Sequence, residues 1–204
     1  SLASSIKKKQ EGDYFENLIS YSITLNKLDQ NFQPSEGYVT KFSQTLPIYS
    51  EDLTIENSLT ASKYYSVNDS LILSGKLYLK AVNSIDDNTR VSKRVYIPTY
   101  RLRGFASGSI GPKDGTQYIG GNYGSAVTFN TTLPKLFNAN ENMDFNLFID
   151  AANLWHVDYD SSLDSNKIRS ATGISVNWYT VVGPLSFSYA IPISEAESDE
   201  TESF

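Results

Sequence analysis

The 204-residue sequence contains no cysteine, a single histidine, and no apolar run long enough for a membrane-spanning helix. The missing cysteines exclude disulfide scaffolds and thiolate metal sites. The lone His156 leaves little for a catalytic triad or a zinc site, and no Gly-x-Ser-x-Gly motif is present. Acidic residues (23) outnumber basic ones (17), and the net charge of −6 argues against nucleic acid as a partner. We therefore expect a non-enzymatic protein without metal or cofactor.

What the sequence does contain is runs in which apolar side chains alternate with small or polar ones. This period-2 pattern predicts β-strands, because successive side chains point to opposite faces of a sheet. In the fourth run, Leu73 and Leu79 share one face, whereas Lys76 and Lys80 share the other. Eight such runs are present, at residues 17–29, 38–48, 53–66, 71–83, 125–134, 144–155, 168–180 and 184–193. The sequence therefore predicts an all-β, antiparallel fold.

The alternation fits both a soluble sandwich with its apolar face inward and a membrane barrel with its apolar face toward lipid. The runs have roughly the 9–11 residues of a tilted membrane strand, whereas soluble strands usually have about 5–6. Long polar connections at 84–124, 156–167 and 194–203 alternate with shorter turns, as in a membrane barrel, although the turns at 29–37 and 134–143 are longer than usual. We expect a transmembrane β-barrel, and a soluble carbohydrate-binding module is the alternative.

The longest connection carries the most distinctive motif of the chain. It contains Arg103-Gly104-Phe105 and then Ile110-Gly111-Pro112, which predict a tightly folded loop. This Arg-Gly-Phe loop resembles that of the Omp85 superfamily, the outer-membrane β-barrels that insert or translocate other proteins. The resemblance extends to Asp29, Pro34 and Gly37, to Gly120-Gly121-Asn122, to residues 148–152 and to residues 168–190.

The resemblance implies a barrel of about 16 strands in the outer membrane of a Gram-negative bacterium. Residues 1–204 would form the C-terminal part of that barrel domain, with about eight complete strands and a long loop at about 84–124 that folds back into the lumen. Upstream periplasmic repeats, the first strands and the end of the last strand would lie outside this chain. The implied partners are client outer-membrane proteins, accessory lipoproteins and outer-membrane lipids.

The period-2 pattern independently indicates which wall the loop motif can meet. Asp150 and Asn130 fall on the polar parity of their strands, so both can face the lumen. Asp150 can then form a charge-assisted contact with Arg103, because Gly104 lets the loop backbone come close to the wall. Asn130 stands where relatives usually carry a glutamate, and Ala152 stands where they carry a glycine.

For function, the resemblance implies folding and insertion of outer-membrane proteins by lateral opening of the barrel and strand templating. A translocation transporter of the TamA or two-partner secretion type is the alternative within the superfamily. Two acidic stretches have no assigned role. Asp158, Asp160 and Asp164 lack the glycine and glutamate of a calcium loop, and the acids of 195–202 are expected in a solvated outer loop.

Overall fold

A computed structural model gives the fold of residues 5–133 and 142–203. Its main element is one antiparallel sheet of eight strands that pair in sequence order. These strands are β1 (Glu16–Asn26), β2 (Gly37–Ser50), β3 (Thr54–Asn68), β4 (Leu71–Ser84), β7 (Tyr123–Leu133), β8 (Met143–Trp155), β9 (Arg169–Thr180) and β10 (Gly183–Ser194). Two short strands, β5 (Lys113–Asp114) and β6 (Gln117–Tyr118), pair as a hairpin within the long connection. A short helix α1 (Ser5–Lys9) precedes β1, and 3-10 turns lie at Thr99–Arg101 and Ser161–Leu163.

The predicted all-β antiparallel fold is confirmed, and each of the eight period-2 runs corresponds to one strand of the main sheet. The first run ends earlier than predicted, at Asn26, because the Asp29 carboxylate accepts hydrogen bonds from the backbone N–H groups of Ser35 and Glu36 and closes a turn. The hairpin β5–β6 was not predicted, since its strands are too short for a periodic signal. Most of the predicted turn at 134–143 lies outside the described residues. Among the described residues, no helix has the length and apolar character to cross a membrane.

The two faces of the sheet differ sharply in character. One face, here called the outer face, presents large apolar side chains without protein cover. Its exposed members include Leu147 and Ile149 on β8, Ile174 and Trp178 on β9, and Leu185, Phe187, Tyr189 and Ile191 on β10. A soluble sandwich would bury such a face, whereas a membrane barrel turns it toward lipid. The outer face therefore favours the barrel over the soluble module.

The hydrophobic core lies on the opposite, inner face and is completed by residues 85–122, the inner loop. The loop contributes Val95, Ile97, Leu102, Phe105 and Ile110, each at most 3% exposed. They pack against inward-facing residues of the strands, namely Val82, Ala126, Ala152, Leu154 and Ala171. The small side chains of the three alanines leave room for the loop against the sheet. Among the described residues, the core thus joins a loop to one face of the main sheet.

The sheet is curved, so that elements distant along it meet on the inner face. The turn between β1 and β2 reaches across to β8 and β9, where the Phe32 ring packs edge-on against Tyr179 with 4.8 Å between centroids. In the same place, Gln33 donates a hydrogen bond to the Asp144 carboxylate at 3.3 Å. A cavity of about 780 Å³ lies between this turn and the inner loop, and its lining includes Lys76 and Arg103. The inner loop and the β1–β2 turn therefore enclose a polar space from opposite ends.

Candidate functional site: the anchored inner loop

Arg103 and Asp150 form the contact that fastens the tip of the inner loop to β8. The guanidinium donates through Nε to Oδ2 and through Nη2 to Oδ1, both at 2.8 Å, and the backbone N–H of Arg103 also donates to Oδ2 at 3.1 Å. Thr128 donates its hydroxyl to Oδ1 at 2.8 Å, so all four lone-pair directions of the carboxylate are used. The Asp150 side chain is fully buried, and that of Arg103 is 16% exposed. The two predicted site residues are thus brought together.

Phe148 and Asn130 on the inner wall also contact the Arg103 guanidinium. The guanidinium carbon lies 3.3 Å from the centroid of the Phe148 ring, which is a close cation–π contact. Asn130 accepts a bond from Nη2 at 3.3 Å, longer than those to Asp150. Asn130 therefore touches the loop as an uncharged and weaker partner. Asp150 supplies the only carboxylate in contact with this guanidinium among the described residues.

Close approach of the loop to the wall depends on Gly104. Its φ of +89° is in the left-handed region that favours glycine, and a Cβ there would lie 3.2 Å from the Cβ of Ala190 and 3.3 Å from that of Ala171. Any side chain at this position would be strained and would press on β9 and β10. The next residue, Phe105, is buried at 1% exposure in the core. The glycine therefore lets the loop backbone lie against β9 and β10 between the anchored Arg103 and the buried Phe105.

The second half of the predicted motif, Ile110-Gly111-Pro112, lies against the same wall. Ile110 is buried in the core, and a Cβ on Gly111 would lie 3.0 Å from the Cβ of Leu154. The Pro112 carbonyl accepts a hydrogen bond at 3.0 Å from the backbone N–H of Ile119, which holds the loop across the β5–β6 hairpin. These residues shape the loop and make no contact with Asp150 or Asn130.

The root of the inner loop is held by a buried polar network that the sequence did not predict. Arg94, whose side chain is fully buried, donates to the Asp158 carboxylate and to the Thr89 carbonyl. The Asp158 carboxylate also accepts from the Thr89 N–H at 2.7 Å and from the Asn122 amide at 2.8 Å. Burial, the largest influence, would raise the pKa of Asp158, but these hydrogen bonds and the charge of Arg94 outweigh it and lower the pKa. Asp158 is thus a structural carboxylate.

The other two aspartates of that stretch have separate, local roles. Asp160 accepts from the backbone N–H and the hydroxyl of Ser162 and so caps a 3-10 turn. Asp164 accepts from the backbone N–H of His156. Within the described parts of the chain, no group of three or more histidine and acidic side chains is arranged to hold a metal ion.

A second cluster ties the inner loop to the beginning of β1. Arg90 donates to both Glu16 and Asp52, and its guanidinium carbon lies 3.8 Å from the centroid of the Tyr14 ring. Lys93 donates to the second oxygen of the Glu16 carboxylate at 2.5 Å. The loop is therefore anchored to strands on both sides of its origin.

The prediction that the acids of 195–202 are all solvated was wrong for Asp199. Its carboxylate accepts from Arg169 Nε at 2.8 Å and Nη2 at 3.0 Å, with 0% of the Asp199 side chain and 1% of the Arg169 side chain exposed. A run of acidic residues predicts a solvated segment, because the local sequence does not indicate which of these residues lies beside a buried cation in the fold. Arg169 at the start of β9 is that cation.

The same chain, compared with known proteins, matches the Omp85 superfamily domain over residues 1–204. It belongs to the Omp85 superfamily. The Omp85 fold explains the apolar outer face and the folded-in loop together. This Omp85 chain is therefore part of an integral β-barrel of the outer membrane of a Gram-negative bacterium, as predicted.

Among Omp85 proteins, the chain is similar to several outer membrane protein assembly factors called BamA. That of Neorickettsia risticii is 25% identical over 96% of this chain and 27% of the relative. Those of Nitratidesulfovibrio vulgaris and Neisseria meningitidis serogroup B are 25% and 24% identical, over 98% and 88% of this chain and 26% of each relative. The crystal structure of BamA from Haemophilus ducreyi lacking POTRA domains 1–3 superposes with a TM-score of 0.84 and 26% identity, over 92% of this chain and 41% of that chain. This chain spans about a quarter of the length of these curated relatives.

Proposed function

We propose that this chain is the C-terminal part of the barrel of an outer-membrane protein assembly factor, a protein that folds and inserts other β-barrels. The similarity to BamA proteins over nearly the whole chain supports this role. The single observation that carries this proposal is the anchored motif, in which the Arg103 guanidinium forms a bidentate contact with the buried Asp150 carboxylate on the inner wall. Such an anchor suits a loop that must stay inside the barrel while the wall elsewhere opens.

The proposed mechanism uses backbone pairing and no covalent chemistry. The barrel opens between its first and last strands, and a strand of the client pairs with the exposed edge, as in β-augmentation. Strands β1–β4 and β7–β10 contribute the wall away from that opening, together with the inner loop. The outer face, with apolar side chains such as Phe129 and Phe187 at 62% and 61% exposure, is the surface that lipid would cover. The protein acts as a template and is not an enzyme.

The proposed partners follow from that mechanism. Client outer-membrane proteins would bring the strands that pair with the opened edge, and accessory lipoproteins would bind the parts of the full-length protein outside this chain. Outer-membrane lipids would contact the outer face. The net charge of −6 gives no attraction to nucleic acid.

The test compares two neighbouring arginines in the full-length protein. Arg103→Ala removes the side-chain contact with Asp150. Arg101→Ala removes only cation–π contacts, in which the guanidinium carbon lies 3.7 Å from the centroid of the Tyr78 ring and 5.1 Å from that of the Tyr100 ring. Each variant would replace the wild-type protein in cells depleted of it, and folded, heat-modifiable client barrels would be quantified in the outer membrane. We expect Arg103→Ala to reduce client assembly clearly more than Arg101→Ala. Equal and negligible effects of the two changes would contradict the proposed role of the anchor.

The same cells also distinguish assembly from translocation. If depletion of the wild-type protein left client barrels at normal levels and abolished secretion of one partner protein, the chain would belong to an Omp85-type transporter.

A further inference from the structure

The segment that follows β10 folds back onto the inner-loop motif and pairs with it. We call residues 199–203 the strap. The N–H of Ala106 donates to the Glu200 carbonyl at 2.9 Å, and the N–H of Glu202 donates to the Gly104 carbonyl at 3.0 Å. These two bonds flank Phe105 and Thr201, which therefore face each other as an antiparallel pair. The strap thus adds a short strand to the part of the loop that Arg103 anchors.

A buried ion pair locks the strap onto the sheet. Asp199 receives two parallel hydrogen bonds from Arg169, and both side chains are almost completely excluded from solvent. Asp199 also accepts from the Ala196 N–H at 2.7 Å. The remaining nitrogen of the guanidinium, Nη1, donates to Ser165 Oγ and to the Lys167 carbonyl, each at 2.8 Å. A buried pair in which every nitrogen and oxygen atom has a hydrogen-bond partner is costly to open from one side, because the remaining charge would be left without a partner.

The end of the strap lies on the free edge of β10. The N–H of Ala190 donates to the Ser203 carbonyl at 3.1 Å, so the strap leaves the loop motif and arrives directly beside β10. β10 pairs with β9 on its other side and has no strand partner on this edge among the described residues. The position of Ser203 therefore fixes the point at which chain beyond the strap can begin to pair with β10.

We propose that Arg169 and Asp199 are positioning residues that hold the strap and so set the register of the next strand along β10. The strap also links that register to the inner loop, because Glu202 and Glu200 of the strap bond to Gly104 and Ala106 of the loop. Movement of the loop motif and loosening of the next strand are then coupled, because both require release of the strap. That a further strand follows and borders the opening used by clients rests on the proposed function, whereas the strap itself does not.

The absence of cysteine from this chain allows a direct test in the full-length protein, in detergent or native membranes, with any cysteine elsewhere in that protein replaced by serine. Phe105 and Thr201 form a non-hydrogen-bonded antiparallel pair, the arrangement with the shortest Cα separation and one that a disulfide can bridge. Phe105→Cys with Thr201→Cys should therefore cross-link rapidly under mild oxidation. Because Phe105 belongs to the core, heat-modifiability of this double variant is checked first. A second readout, without cysteines, is hydrogen exchange of the Ala190 amide, which Ser203 protects.

Asp199→Asn is the decisive change, and Glu56→Gln is its matched control. Glu56 pairs with Lys80 at 2.9 Å, but both side chains are 27% exposed, so loss of that carboxylate should matter little. We expect Asp199→Asn to slow cross-linking about tenfold, since an undocked strap loses its local concentration, and to increase exchange at Ala190. Glu56→Gln should change neither readout, and heat-modifiability should show that both variants are folded.

Unchanged cross-linking and unchanged exchange in folded Asp199→Asn would overturn the proposal. If Asp199→Asn does not fold, Arg169→Lys keeps the positive charge, loses the two parallel hydrogen bonds to Asp199 and should shift both readouts in the same direction by a smaller factor; no shift there would equally overturn it. If both readouts respond but even the wild-type protein does not assemble clients, the proposed function fails and the strap stands.

Discussion

Within the described chain, the Asp150 carboxylate accepts four hydrogen bonds, and three of them come from Arg103. One of the three is donated by the backbone N–H of Arg103, so the aspartate fixes the course of the loop as well as the position of its side chain. The fourth bond, from Thr128, comes from β7. One buried carboxylate therefore joins two adjacent strands and the loop tip.

Asp150→Asn should destabilise the folded barrel more than the loss of a neutral hydrogen bond to the same carboxylate. It leaves the Arg103 guanidinium without a counter-charge, and we expect a loss of about 3 kcal/mol in the free energy of unfolding, the low end for a broken buried pair, because 16% of Arg103 is exposed. The control, Thr128→Val, removes one neutral donor and should cost about 1 kcal/mol. Urea unfolding in lipid vesicles measures both, and equal losses would contradict the charge argument.

Two phenylalanines distinguish the inner core from the outer face. Phe105 is 1% exposed and packed in the core, whereas Phe129 is 62% exposed on the outer face. We expect Phe105→Ala to cost about 3–5 kcal/mol, as for other buried phenylalanines, and Phe129→Ala to cost much less in detergent. The thermal midpoint of the heat-modifiable species is a suitable measurement. A larger effect at Phe129 would mean that the loop is not part of the stabilising core.

Gly173 on β9 is a second test of close packing behind the anchor. A Cβ at this position would lie 2.0 Å from the Tyr189 carbonyl oxygen and 2.7 Å from the Phe148 ring, the ring on which Arg103 rests. Gly173→Ala should therefore displace β10 or Phe148 and lower stability. Gly75→Ala is the control, since its nearest contact would be an ordinary 3.6 Å to the Phe129 ring. Similar melting temperatures for the two variants would argue against this packing.

The root of the inner loop should loosen in acid. Because the pKa of Asp158 is lowered in the folded state, its ionised form stabilises the fold at neutral pH. That stabilisation is lost as the pH falls below the ordinary carboxyl range of about 4 and through the lower folded value. Pepsin cleavage near Thr89 and Arg94, divided at each pH by the rate on an unfolded substrate, should therefore rise as the pH falls from about 5 to about 2.5.

In Asp158→Asn this pH dependence should largely disappear, because no charge remains to be lost. Asp160→Asn is the matched change: the Ser162 hydroxyl lowers the pKa of Asp160 as well, but that residue only caps an exposed turn. It should retain the wild-type pH profile. A flat profile in the wild-type protein would exclude Asp158 as the responsible group.

The strands and the facing of their side chains were predictable because each follows from neighbours in sequence. The alternation that places Asp150 and Phe148 on one face and Ile149 on the other is a local property of β8, and the structure has the same alternation. The resemblance to Omp85 proteins predicted that the loop carrying Arg103 packs against this inner face. The pairing of Arg103 with Asp150 could thus be anticipated from two independent lines, although their functional role stays a prediction.

The anchors made by loops could not be predicted in the same way. Arg94 meets Asp158, and Arg169 meets Asp199, across sequence separations that no periodicity spans. A loop has no alternation of side chains between two faces, so the sequence does not indicate which charged residues of a loop are buried. Asp199 could therefore not be distinguished from its acidic neighbours. The apolar residues of the loop posed the same difficulty, since Val95 and Ile97 give no local sign that they form the core.

A core made from a loop has a consequence for how the protein itself folds. β4 and β7 are paired along their length, yet the inner-face packing of β7, β8 and β9 requires residues 85–122 to be already folded against them. Sheet zippering alone therefore yields an intermediate with an empty interior and little side-chain packing. Docking of the loop, a long-range event with a loop-closure cost, is expected to be the slow step that turns this shell into a cooperative unit. A barrel built in this way would complete its own folding only after the loop has entered its interior.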